Sequence, residues 1–420
     1  DERLWQRRVR AVQLERHGSI SSCEDEAVAA LLYGPDPGHG PLRRSIANLL
    51  SKFYDSPRCA ERICVTGGAS QSLAAILEGY TDVRYTRRAW MVCPACHSAS
   101  QIFIDAGLHG SLRAIPENGE GIDIDYLEES MREYLREQSA DDQGHVKMCH
   151  AQRKFYSQVI YTVPTFSNPS GKTMSLRCRR KLVQLARQYD ALVIADDVYD
   201  FLQWNINGKE ATDSKGALMP RLVDIDRQLS KEPNSDGFGH AISNGTFSKI
   251  VAPGCRTGWV EATKNFITGL SKLGSRVSGG SPSQLSAAFI SRLLRSGKLQ
   301  RHIFQVLQPA YQSRYHIMTL SVRDHLQPLG VEMVQCDVGG ISGGYFLWLR
   351  LSETLEADRV AEECRVKQNL ILGSGTLFNV HGDEDIVNLS HNIRLCFSWE
   401  DENLLKEGVR RLAAAIKSLS

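Results

Sequence analysis

The sequence predicts an α/β protein of two domains, and three observations point that way. At 420 residues the chain is longer than one hydrophobic core usually organises. The run Ala191–Ala195 is continuously apolar and rich in branched side chains, the pattern of a strand covered on both faces of a parallel sheet. The short apolar run Ile63–Thr66 passes through Gly67-Gly68 directly into a helical stretch, a strand–turn–helix unit whose amides can face an anion.

The composition excludes several classes. A hydrophobic content of 42% and a charged content of 23% fit a globular chain, and a net charge of +2 is too small for a basic nucleic-acid binder. No apolar stretch is long enough to span a membrane. The first ten residues, DERLWQRRVR, are charged and lack the apolar centre of a secretory signal. Cys93 and Cys96 form a CxxC without a second one, so no metal site is expected. Scattered cysteines fit reduced thiols and a cytoplasmic protein better than a disulfide framework.

In chain order, residues 1–32 read as one or two weakly amphipathic helices. Leu32 to Arg43 is a Pro/Gly-rich loop entering a helix, with Pro41 near its first turn. The turn after Ile63–Thr66 leads into a helix from Ser72 to about Glu78. Trp90–Cys93 is an apolar strand ending at Pro94-Ala95-Cys96-His97. A turn and a short extended piece occupy Gly119–Ile124, with a helix from Tyr126. Residues 138–157 are polar and irregular, a surface loop. Val159–Tyr161 is a strand followed by Pro164-Thr165-Phe166-Ser167-Asn168-Pro169-Ser170-Gly171, then by a helix over Ser175–Tyr189.

Strand Ala191–Ala195 delivers Asp196-Asp197-Val198-Tyr199 at its C-terminal end, where parallel sheets bind ligands. Residues 207–239, rich in charge, Ser and Gly, read as an exposed insertion. Gly258–Glu261 is a strand, and Leu285–Leu326 a long helical stretch. The apolar strand Gly343–Leu349 follows. Ile393–Ser398 then buries one arginine, Arg394, which needs a partner. The final helix is Glu402–Leu419.

The chemistry centres on Asn244–Gly258. Lys249 lies among small, hydroxyl-bearing and glycine residues, a composition poor for helix or strand, so it sits on a turn leaving a strand. A lysine amine in a dry site loses its proton readily and attacks carbonyls. Thr246, Ser248 and Arg256 are the hydroxyls and guanidinium that a phosphate favours. An amine for an aldehyde beside a phosphate grip suggests pyridoxal 5'-phosphate held as a Schiff base.

Thr-Phe-Ser-Lys followed by Pro-Gly-x-Arg-x-Gly resembles the cofactor-lysine segment of fold-type I, class I/II aminotransferases. The branch most resembled acts on 2-aminoadipate, kynurenine and aromatic amino acids. The loop at Tyr33, the Gly67–Gln71 turn, Asn168-Pro-x-Gly, Asp196-x-x-Tyr199 and Arg394 fall in that family's order. The resemblance covers about Leu32 to the C-terminus.

It implies a large domain with a mostly parallel seven-stranded sheet and a small α/β C-terminal domain. The domains would be 33–285, and 1–32 together with 286–420. It also implies catalytic roles for Lys249, Asp196 and Tyr199: Lys249 carries the cofactor and acts as base, Asp196 pairs with the ring nitrogen, and Tyr199 donates to the phenolic oxygen. Ala69, Ser70, Thr246, Ser248 and Arg256 would hold the phosphate. Asn168 would bond the phenolic oxygen and help place substrate, and Arg394 would clamp the substrate carboxylate. Tyr33 would reach the neighbouring site of a homodimer. The substrates would be an amino acid and a keto acid.

Two departures stand out. Relatives place an aromatic ring two residues after the proline at position 94, to stack on the cofactor; here Cys96 stands there, and either it leaves that face of the ring thinly covered or His97 moves in to stack on it. The N-terminal segment that covers substrate in relatives has no recognisable counterpart before Tyr33. These leave a second expectation beside amino transfer: a pyridoxal phosphate enzyme that decarboxylates an amino acid, or condenses it with an acyl or aldehyde partner.

Overall fold

The computed structural model describes residues 30–137, 146–148, 152–206, 216–229, 237–334 and 336–419. The helices expected in 1–32 lie outside these residues as far as position 29, as do most of 138–151 and much of 207–239.

In chain order the strands begin with β1 (Ile63–Thr66), β2 (Arg88–Cys93), β3 (Leu112–Pro116), β4 (Gln158–Thr162) and β5 (Ala191–Asp196). After the short β6 (Gln203–Asn205) come β7 (Ala241–Thr246) and β8 (Gly258–Glu261). One seven-stranded sheet has the order β1-β8-β7-β5-β4-β2-β3. All its pairings are parallel except those of β8, which runs antiparallel to both β1 and β7. Parallel neighbours need long crossovers, and helices supply them on both faces. Ala191–Ala195 is accordingly fully buried.

One face of the sheet packs on helices Gly40–Phe53 and Ala69–Tyr80, through Leu42, Ile46, Leu50, Leu73 and Ile76. The other packs on Ile124–Glu137, Leu176–Gln188 and Leu222–Leu229, through Leu127, Met131, Leu182, Leu185, Leu222 and Ile225. A second sheet of β9 (Glu332–Met333), β11 (Phe346–Arg350), β12 (Gly373–Ser374) and β13 (Asn392–Cys396) is antiparallel throughout. Helices Gln308–His325, Ala357–Lys367 and Glu402–Leu419 close its own core around Val322, Leu349, Val360, Ile393 and Leu412. Between the two sheets, β10 (Ile341–Gly343) pairs with β6.

Several expectations change. The stretch Leu285–Leu326 is not one helix: Gly297 adopts φ +69° after Gln284–Arg295, and a wide turn at Ile303–Leu307 precedes Gln308–His325. Ala287, Ile290, Leu294, Leu299 and Ile303 belong to the large core, which therefore extends past the expected boundary at 285. The insertion is buried at 221–226. There Leu222, Val223 and Ile225 are buried, and Arg221 pairs with Glu261 at 2.6 Å and Asp224 at 3.3 Å. Arg58 adds pairs to Asp224 at 2.7 Å and Glu261 at 3.1 Å, so Arg221 and Asp224 of the insertion belong to a buried charge cluster. Phe155 and Tyr156 are also buried, against the expectation of a surface loop through 157.

Candidate active site

The C-terminal ends of β2, β4, β5 and β7 and the start of helix Ala69–Tyr80 enclose a cavity of about 300 Å³. Of the residues expected at the site, Ala69, Ser70, Cys96, Asn168, Asp196, Tyr199, Thr246, Ser248, Lys249 and Arg256 line it. Ten positions spread over nearly 190 residues thus converge on one space.

One end of the cavity is built for an anion. Gly68 caps the twelve-residue helix with φ +102°, and the first amides of a helix, at Ala69 and Ser70, have no intrahelical acceptor. A Cβ on Gly68 would lie 3.0 Å from the Arg256 guanidinium, so glycine lets the arginine close over the helix start. Thr246 Oγ1 donates to Ser248 Oγ at 3.0 Å and accepts the Ser248 amide at 3.1 Å, fixing both hydroxyls.

The floor is Asp196. Its Oδ2 accepts from the Tyr161 hydroxyl at 2.9 Å and its Oδ1 from Asn244 Nδ2 at 3.1 Å. Burial pushes its carboxyl up to about 6, although these two hydrogen bonds and the Lys249 charge favour the ionised form. Such a carboxylate lacks a full positive partner, and a protonated ring nitrogen would supply one.

Lys249 lies on the turn after β7, where the Ile250 and Val251 amides both donate to the Phe247 carbonyl, and Tyr345 donates its hydroxyl to the Lys249 carbonyl at 3.2 Å. Its Nζ stands 5.2 Å from the Tyr345 ring centre and 5.6 Å from that of Tyr199. Burial lowers its pKa, the Arg394 charge adds to this, and Asp196 opposes it. Tyr199, 2% exposed, is held neutral by burial.

Arg394 enters from the second sheet, opposite Trp348 in β11. Its Nη1 donates to Asn168 Oδ1 at 2.9 Å, and its guanidinium lies 4.3 Å and 4.8 Å from the Phe346 and Phe378 ring centres. Among the described residues it forms no ion pair, and its Nε has no hydrogen-bond partner. A buried guanidinium without a carboxylate is prepared for one from a ligand. Asn168 Nδ2 in turn donates to Cys96 Sγ at 3.4 Å.

His97 and Tyr33 do not line this chain's cavity. His97 begins helix His97–Phe103, is exposed, and does not line the cavity; of the adjacent pair only Cys96 does. Tyr33 is 86% exposed and packs on Gly279, outside this chain's cavity. Sequence reasoning missed Tyr161, which reads as an ordinary strand residue, and Asn244, whose only signal is a polar residue in a buried strand.

An amine, a buried carboxylate and an anion cradle around one small cavity define a pyridoxal-phosphate enzyme of the α/β class; the donor set suits the phosphate, ring nitrogen and aldehyde of that cofactor. The comparisons agree. Residues 10–412 match the model of the family "Aminotransferase class I and II". An uncharacterized protein of Saccharomyces cerevisiae is 36% identical, over 92% of this chain and 87% of its own. Aromatic-amino-acid aminotransferase 1 of Thermococcus litoralis is 28% identical, over 94% of this chain and 82% of its own. The crystal structure of Pyrococcus horikoshii kynurenine aminotransferase, in complex with PMP, superposes with a TM-score of 0.73 at 27% identity, covering 98% of this chain and 87% of that one. The chain belongs to the class I and II aminotransferase family. It is a fold-type I, pyridoxal-phosphate-dependent transferase of amino groups, and the decarboxylating or carbon–carbon bond-forming alternative is not favoured.

Proposed function

We propose that this chain moves an amino group between an α-amino acid with an apolar or aromatic side chain and a 2-keto acid, with Lys249, Asp196 and Arg394 as its principal residues. The observation that carries the reading is that a half-buried lysine and a half-buried aspartate line one cavity, beside an arginine without an ion-pair partner that bonds to the cavity residue Asn168. When bound, the cofactor supplies an aldehyde and an electron-withdrawing ring. Lys249, its amine made less basic by burial, would hold that aldehyde, and the same amine is placed to take a proton from the substrate's α-carbon and return it. Asp196 would hold the ring nitrogen in its protonated form, and Tyr199 and Asn168 would hold the phenolic oxygen. Ala69, Ser70, Thr246, Ser248 and Arg256 would hold the phosphate. Arg394 binds the substrate carboxylate through its two-nitrogen fork.

The substrate class is supported by a neighbouring cavity of about 430 Å³ that includes Arg394, Cys396, Leu370, Leu372, Leu377 and Trp399. An apolar side chain attached to a carboxylate bound at Arg394 has room and apolar surface there. Tyr33 is assigned to the site of a second copy in a homodimer; its exposure beside the exposed Leu31, Leu285 and Phe289 supports such an interface. Among the described residues no helix is long and apolar enough to cross a membrane. The free cysteines there support a reducing, cytoplasmic setting. On this reading the large domain runs from Tyr33 to about Leu307, following the core packing.

The test is to give the cofactor-loaded protein L-phenylalanine without an acceptor. Stoichiometric pyridoxamine phosphate and phenylpyruvate are expected, followed by turnover when 2-oxoglutarate is added. Release of carbon dioxide, or no keto acid from any apolar or aromatic amino acid, contradicts the reading.

A further inference from the structure

We infer that Asn244 is a positioning residue that locks the Asp196 carboxylate to the start of helix Ala69–Tyr80, so that the groups facing the cofactor's ring nitrogen and its phosphate keep one fixed separation. The inference rests on the reading of the cavity as a pyridoxal phosphate site.

Asn244 stands directly opposite Asp196 in the parallel β5–β7 pair and is 1% exposed. Its Nδ2 donates to Asp196 Oδ1 at 3.1 Å and to the Ala69 carbonyl at 3.0 Å. Its Oδ1 accepts from the Ser72 hydroxyl. The amide orientation is therefore determined by its nitrogen end: rotated by half a turn, its oxygen would face the Ala69 carbonyl and the Asp196 carboxylate, neither of which has a proton to donate when the carboxylate is ionised.

The three segments so joined are remote in the chain, Asn244 being 48 residues from Asp196 and 175 from Ala69. Without this side chain, the Asp196 carboxylate would lose one of its two side-chain donors and keep the Tyr161 hydroxyl, and the first helical turn would lose its link to Asn244. Few other side chains meet the same demands. Aspartate would set a second carboxylate against the first, serine is too short for both contacts, and leucine fills the volume without a donor. Asn244 also lies on β7, and the turn that follows this strand carries Lys249 five residues on, so a single amide relates all three ends of the ligand site.

The test compares two ligands on the cofactor-free protein: pyridoxal phosphate and its 1-deaza analogue, in which carbon replaces the ring nitrogen and no bond to Asp196 can form. Wild type binds pyridoxal phosphate far more tightly than the analogue. Asn244→Ala is expected to weaken pyridoxal phosphate at least tenfold while changing the analogue less than threefold. A role confined to folding weakens both ligands by the same factor, and that result overturns the inference, as does an unchanged affinity for both. If Asn244→Ala does not fold, Ser72→Ala serves, since it removes the donor to the amide oxygen; threefold or greater weakening of pyridoxal phosphate alone is then expected, and equal effects on both ligands overturn the inference. Failure of wild type to bind pyridoxal phosphate at all refutes the cofactor-site reading itself, a result distinct from equal loss in the variant.

Discussion

Replacing Asp196 by asparagine separates what the cavity needs for folding from what it needs for chemistry. Burial moves the carboxyl from 3.8 to about 6 in the cofactor-free protein. At about 1.4 kcal/mol for each tenfold change in proton affinity, the ionised side chain costs the fold about 3 kcal/mol. The sign follows from linkage. The folded pKa lies above the unfolded one, so the penalty is small below about pH 4, grows as the unfolded chain ionises, and is complete above the folded value of about 6. Asparagine carries no charge and can keep both bonds, accepting from Asn244 and donating to the Tyr161 oxygen. The cofactor-free variant is therefore expected to exceed wild type by about 2–3 kcal/mol at pH 8, and by under about 1 kcal/mol at pH 4. Urea-unfolding midpoints of the two proteins across that range measure the difference. In the loaded enzyme the same change should lower kcat by several orders of magnitude, because the ring nitrogen loses its anionic partner. A stability difference independent of pH, or a variant less stable than wild type at pH 8, refutes the assignment of Asp196 as a destabilising carboxylate kept for function.

Other outcomes follow from the same geometry. Arg394→Lys gives up the two-nitrogen fork and the 2.9 Å bond to Asn168, so the KM for amino acids should rise about tenfold or more while pyridoxal phosphate affinity stays within about twofold. Glu261→Ala leaves Arg58 and Arg221 buried without that partner, a loss of about 3–5 kcal/mol readable as a lowered urea midpoint. Gly68→Ala forces an L side chain to φ +102° against Arg256, so the melting temperature should fall by the equivalent of about 1–3 kcal/mol and phosphate-dependent cofactor binding should weaken.

Where sequence and structure agree, one local pattern sufficed. Ala191–Ala195 could only be a buried strand, which put Asp196 at a strand end. Gly67-Gly68 could only be a turn, which put Ala69 and Ser70 at a helix start. Thr246, Ser248, Lys249 and Arg256 are close in the chain and stay close in space. The misses share a different cause, since they depend on partners remote in sequence. Arg221 reads as part of an exposed insertion because its pairing with Glu261 crosses forty residues. Leu222, Val223 and Ile225 make too short an apolar run to announce a helix, yet all three are buried, Leu222 and Ile225 in the core on that sheet face. Asn244 and Tyr161 acquire their roles from strand register around Asp196, which no local spacing encodes. His97 shows the converse: adjacency to Cys96 suggested a shared role, but the helix that begins there leaves it exposed.

The central claim, that Lys249 carries the cofactor, is tested most directly by borohydride reduction of the loaded protein followed by peptide mass mapping. A single phosphopyridoxyl group on the peptide containing Lys249, absent from Lys249→Ala, is the predicted result. The same group on a different lysine, or no covalent adduct on folded, loaded wild type, contradicts the account.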